Sequence, residues 1–247
     1  MCVILIAQES RLDASTIRDA VEANPDGNGF AWIQGGQVHW RKGITVKTAI
    51  KLADTKPLPY IFHARIATFG ATCAALCHPF PITKRRKQTA TIGSSKRGVV
   101  FHNGSWSEWD EYVNHPRGET HWSDSRAMAD MVFADGDEAL ELIPGSQRVA
   151  MMTPTDILFQ GTGWTTLRAG IKASNTHFVR MSPSLWSDSP SMSASKPYRS
   201  YQDDSDLPNQ LDLQLRMSNR NYSRWSNSTR HRTAQRLRDG FRMMSDD

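Results

Sequence analysis

Residues 2–8, Cys2-Val3-Ile4-Leu5-Ile6-Ala7-Gln8, open the chain with a short, apolar, β-branched run that does not alternate with polar residues. Such a run reads as a strand buried on both faces, which needs packed layers above and below its sheet. It is too short for a signal-peptide core and has no basic residue before it. No stretch approaches the roughly 18 apolar residues of a membrane span. Neither export nor a membrane partner is therefore expected. Three cysteines, Cys2, Cys73 and Cys77, cannot all pair within one chain. That favours a reducing, cytoplasmic setting over a disulfide scaffold.

Downstream, Asp13 or Ser15 can cap a helix whose Ile17, Ala20 and Val21 share one face, and Asn24-Pro25-Asp26-Gly27 stops it. Phe30–Gln34 and Val38–Arg41 flank Gly35-Gly36, a hairpin signal. A helix is expected over about 46–53 and a strand over Tyr60–Ala67. A further strand is expected over Gly98–His102, ended by Asn103-Gly104. Helices are expected over Ser105–Val113 and Ser123–Phe133, and strands over Arg148–Met152 and Asp156–Gln160. Strands and helices mix without regular βαβ alternation, which points to an α+β layered domain.

Composition changes near Arg180. The 247 residues are 38% hydrophobic, and counting glycine in place of tyrosine gives about 42%, slightly below the usual apolar share. Segment 181–210 is rich in Ser, Pro and Asp, the signature of disorder. Beyond it lie Arg216, Arg220, Arg224, Arg230, Arg232, Arg236, Arg238 and Arg242. The arginines cluster there, but the net charge of +5 is shared, about +3 over residues 2–180 and +2 over 181–247. The expected division is a domain over 2–180 and a largely disordered basic tail over 181–247.

Cys2 has two readings. It is either a small apolar residue starting a strand or, once Met1 is trimmed, a residue carrying a thiol and a free α-amine together. The amine titrates near pH 7.7–8.0 and can serve as a base, while the thiolate is a strong acyl-transfer nucleophile.

Other segments bear on that choice. In order come Cys2, Asn24-Pro25-Asp26-Gly27-Asn28-Gly29, His63-Ala64-Arg65-Ile66-Ala67-Thr68-Phe69-Gly70 and His78-Pro79-Phe80. Phe101-His102-Asn103-Gly104 and Ser123-Asp124-Ser125 follow. The set resembles the class II glutamine amidotransferase (glutaminase) domain of the Ntn hydrolases, of the stand-alone bacterial or phage type. Gly161-Thr162-Gly163-Trp164 and Gly170-Ile171-Lys172-Ala173-Ser174-Asn175 look like the segments that close such domains. The resemblance covers about residues 2–178 and implies a four-layer α/β/β/α sandwich.

It also implies roles. Cys2 attacks the glutamine side-chain amide, giving a γ-glutamyl thioester and releasing ammonia and then glutamate. Asn103, through its side-chain amide, and Gly104, through its backbone N–H, form the oxyanion hole. Arg65 holds the substrate α-carboxylate, Thr68 lines the pocket beside it, and Asp124 accepts from the α-ammonium. Each has an ordinary alternative: Asn103-Gly104 as a turn pair, Arg65 bound to an internal carboxylate, Asp124 as a helix cap. Gly27 and Gly29 permit a tight turn beside the nucleophile, with Asp26 and Asn24 stabilising it. His63 and His102 read as hydrogen-bonded core histidines. Ile66, Phe69 and Arg126 depart from the commoner family pattern, so γ-glutamyl amides or peptides other than glutamine are open as substrates.

No cofactor and no metal are implied. Cys73, Cys77 and His78 lack a fourth zinc ligand at suitable spacing and read as packing residues. Lys84-Arg85-Arg86-Lys87 reads as a solvated loop or, with Gly93–Arg97, a flap. Since about 65 residues beyond the domain are too few for a synthase, either the ammonia acceptor is a separate synthase or the protein is a stand-alone amidohydrolase. Arginines interleaved with Tyr222 and Trp225 suit nucleic acid or an acidic protein as a tail partner. A catalytically silent scaffold presenting that tail is the non-enzymatic alternative.

Overall fold

All five residues of β1 (Val3–Ala7) are buried, and the architecture follows from covering both of its faces. The structure is a computed structural model and describes residues 2–67, 71–112, 122–168 and 170–179. After β1, Asp13 caps α1 (Ala14–Ala23), its carboxylate accepting from the Thr16 N–H at 2.7 Å. The β2 (Asn28–Gln34) and β3 (Gln37–Lys42) hairpin turns at Gly35 and Gly36, both at positive φ. Thr45 caps α2 (Val46–Thr55), and β4 (Tyr60–Ala64) follows. Then come β5 (Phe80–Pro81), α3 (Arg85–Gln88), β6 (Ile92–Ser95), β7 (Val99–Asn103), α4 (Trp109–Tyr112) and α5 (Asp124–Asp135). The strands β8 (Arg148–Met152), β9 (Ile157–Gln160), β10 (Thr165–Arg168) and β11 (Ile171–Ala173) complete the described elements.

The fold is α+β with two antiparallel sheets, ordered β10-β11-β1-β4-β2-β3-β6 and β5-β7-β8-β9. Alternate side chains of β1 enter different cores. Ile4 and Ile6 meet Val99, Phe101, Ala150 and Met152 of the smaller sheet. Val3, Leu5 and Ala7 pack with Ile17, Val21 and Leu52 of α1 and α2. A third cluster joins Val100, Val149 and Met151 to Met128, Met131 and Val132 of α5. Among the described residues, no helix is long and apolar enough to cross a membrane.

Three local expectations change. The strand expected to reach Ala67 ends at Ala64: the Arg65 N–H still donates to the Gly27 carbonyl at 2.9 Å, but the Arg65 carbonyl accepts from Asp26 rather than Gly27, which breaks the ladder register. The helix expected from Ser105 begins at Trp109, and its continuation past Tyr112 lies outside the described residues. Residues 84–97 are neither a bare loop nor a flap. The Arg85 guanidinium pairs with Asp130 of α5 at 2.6 Å, Gln88 is fully buried, and β6 adds to β3. The 181–247 segment lies outside the described residues.

Candidate functional site

Strand register brings the first two candidate residues together. Val3 pairs with Ala64 and Asn28 pairs with Ala64 from the other side, so Cys2, Arg65 and the turn before β2 converge at one end of the larger sheet. The turn is held by its own hydrogen bonds. The Asp26 N–H donates to the Arg65 carbonyl at 2.9 Å, and the Asp26 carboxylate accepts from the Ala67 N–H at 2.8 Å. Asn24 donates from Nδ2 to the Ala20 carbonyl. Both act as turn stabilisers. A Cβ on Gly29 would lie 1.5 Å from the His78 carbonyl oxygen, so only glycine admits the 73–78 segment this close.

Cys2 is a free thiol whose Sγ donates to the Ile66 carbonyl at 3.3 Å. Burial pushes it above the ordinary thiol range, and the Arg65 charge acts in the opposite sense. A cavity of about 300 Å³ with its open mouth adjoins it, lined also by Arg65, His78, His102, Gly104 and Asp124. Arg65 is buried just past the end of β4, and its Nη1 donates to the Ala71 carbonyl at 3.0 Å.

Asp124 does not cap its helix. Ser123 does, its Oγ accepting from the Arg126 N–H at 3.2 Å, which leaves the Asp124 carboxylate in the first turn at the cavity wall. Oδ1 of Asp124 accepts from the Ser125 N–H at 2.7 Å, and Oδ2 accepts from the Trp106 N–H at 3.2 Å. His102 completes this wall: Nδ1 lies 3.1 Å from Ser125 Oγ and 3.6 Å from Asp124 Oδ2, and Nε2 lies 3.0 Å from Gln147 Oε1. Burial lowers the pKa of His102 against the opposing pull of Asp124.

Gly104 reaches the cavity at φ +155°, and a Cβ there would strike Gln147 Oε1 at 1.8 Å. Its neighbour Asn103 is fully buried and engaged elsewhere: Nδ2 donates to Ser174 Oγ at 2.8 Å, while Oδ1 has no partner. Ser174 Oγ also accepts from the Ile4 N–H at 2.9 Å, and Asn175 Nδ2 donates to the Cys2 carbonyl at 2.6 Å. The Ser174-Asn175 pair therefore clamps the strand that begins at Cys2 and touches Asn103 at the same time.

The structure thus brings Cys2, Arg65, Gly104 and Asp124 around one cavity, with Asn103 beside them but turned to Ser174. Thr68 lies outside the described residues. Sequence reasoning assigned no site role to His78, Ser125 or Gln147. His78 lines the cavity while neither ring nitrogen has a partner, and its ring lies tilted against that of His63, with centroids 4.0 Å apart. Burial holds His63 down to about 3 and His78 well below its usual value, so both are neutral. The signal for His78 was its place among the ordered motifs; Gln147 stands in a loop with no pattern to single it out. Among the described residues no three His, Cys, Asp or Glu side chains gather as a metal site.

No protein-family model matches the chain, and no curated protein matches it either.

Proposed function

We propose that the chain is an N-terminal-cysteine glutamine amidohydrolase, the glutaminase half of an amidotransferase, on a four-layer Ntn-hydrolase sandwich. One observation carries the reading: a cysteine at position 2 shares a small cavity with a guanidinium, a carboxylate and a positive-φ glycine. An α-amino acid head group carries one negative and one positive charge. Arg65 suits the carboxylate through two parallel hydrogen bonds, and Asp124 suits the ammonium.

In the reaction the Cys2 sulfur adds to the side-chain amide carbon and its proton passes, by way of the α-amine freed by Met1 removal, to the leaving nitrogen. The C–N bond breaks, ammonia departs and a thioester remains; water then adds, glutamate leaves and the thiol is restored. The developing oxyanion sits against the Gly104 N–H. A half-turn of the Asn103 amide lets Ser174 donate to Oδ1 and turns Nδ2 to the place the partnerless Oδ1 now holds, supplying the second donor. The α-carboxylate and α-ammonium contacts leave the γ-substituent ungripped, so another γ-glutamyl amide or peptide is the second reading.

The test is an ammonia and amino-acid release assay on glutamine and on γ-glutamyl dipeptides, with N-acetylglutamine as control. Hydrolysis of the first or second and rejection of the N-acetyl compound is expected, because acetylation removes the charge that Asp124 binds. Equal turnover of the N-acetyl compound contradicts the head-group assignment.

A further inference from the structure

A second cavity stands away from the candidate site. It has an empty volume of about 540 Å³ with its mouth, an acidic rim of Asp137, Glu138 and Glu141 and an apolar floor that includes Leu158 and Phe159. Leu158 and Phe159 are 42% and 39% exposed, on β9, the outer strand of the smaller sheet. A flat outer strand with exposed apolar side chains is a docking surface or an aggregation liability. The rim belongs to a longer stretch: residues 127–147 hold five acidic residues and no Lys or Arg, and of the five Asp130 is paired with Arg85. No ion pair reaches Asp137, Glu138 or Glu141 among the described residues. Such a surface repels nucleic acid and attracts a basic, partly apolar segment.

We infer that this groove is the docking site for the chain's own arginine-rich segment, residues 213–242. Residues 213–238 carry seven arginines and no acid, interspersed with Leu215, Tyr222, Trp225 and Leu237. The charge complementarity is thus between the most acidic and the most basic parts of one sequence. Reach is ample. Lys172 of β11 lies 5.3 Å from the Phe159 ring, and the described chain ends at Val179, seven residues later. The residues from 180 to 212 extend to about 110 Å at full stretch, and as a flexible chain they span roughly 30 Å. Tethering at that span gives an effective concentration near millimolar, so even a weak contact is occupied from within the chain before a second copy competes.

The experiment places a benzophenone amino acid at position 159 of the full chain and maps the photocrosslinked peptides by mass spectrometry. The account predicts intramolecular crosslinks to 213–242. Their yield is independent of protein concentration, falls as salt rises from about 50 to 500 mM, and drops several-fold in Glu138→Lys/Glu141→Lys. The control carries the same probe at Ile92, which is 61% exposed on β6 opposite Arg41. Crosslinks to the tail of equal yield at position 92 overturn the proposal. So do crosslinks only to other segments, no crosslink to the tail, or a dimer-only product that grows with concentration.

Discussion

Ser174 is the residue on which the proposed nucleophile's strand and the proposed oxyanion donor both depend. Its Oγ meets the Ile4 N–H and the Asn103 amide in a fully buried position. Ser174→Ala leaves both polar groups without a partner, and stability falls by about 1–3 kcal/mol in denaturant titrations. The account also expects kcat for glutamine to fall more than KM rises, since the amide that turns toward the oxyanion loses its support. The buried histidines set a second expectation. His63 titrates at about 3 in the fold and near 6.5 unfolded, so between those values the unfolded chain binds the extra proton and stability rises with pH. Lowering the pH from 6.5 to 5 then costs about 2 kcal/mol for His63, with His78 and His102 adding in the same direction. Denaturant midpoints across pH 4.5–7.5 check it; a flat profile contradicts neutral, buried histidines.

At the scale of elements, the turn before β2 and the 73–78 segment form a lock around Gly29. Gly29→Ala forces a methyl group onto the His78 carbonyl, a backbone atom that cannot swing aside. The expected loss is at least about 3 kcal/mol, measured by chemical unfolding. The elements also show where sequence pattern reads well. β1, the Gly35-Gly36 hairpin and α1 were legible because apolar runs, glycine turns and an Asp cap act locally. β6, with the sequence Ile-Gly-Ser-Ser, was not legible: it is held by backbone pairing to β3 and keeps Ile92 exposed, so no burial pattern marks it. α3 hid for a related reason, since its anchors are the Asp130 carboxylate and the Arg126 guanidinium, which donates to Gln88 Oε1 at 3.1 Å. Lys42 follows the strand expected to end at Arg41, and no sequence pattern singled it out. It is buried, donates to the Ala75 and Gln88 carbonyls, and has its pKa lowered by burial to about 7. In the site, the motif order marked Cys2, Arg65, Gly104 and Asp124, but not the engagement of Asn103 by Ser174, a contact across 71 residues.

Across the whole molecule, the core between the sheets makes them one cooperative body. Phe101 is fully buried among Ile4, Ile6 and Met152, with strands from both sheets around it. Phe101→Ala is expected to cost about 3–5 kcal/mol. It should lower the melting of both sheets together, seen as coincident far-ultraviolet and tryptophan-fluorescence transitions. Separate transitions contradict a shared core. The central claim concerns the start of the chain: that Met1 is removed and the exposed Cys2 reacts with the side-chain amide of a glutamine whose head group is held by Arg65 and Asp124. The direct measurement is intact mass followed by peptide mapping after treatment with diazo-oxo-norleucine, a glutamine-mimicking electrophile. The account predicts a chain lacking Met1, one adduct at Cys2, protection by glutamine, and no adduct in Cys2→Ser. Met1 retained, or labelling of a correctly trimmed chain at Cys73 or Cys77 instead of Cys2, contradicts it.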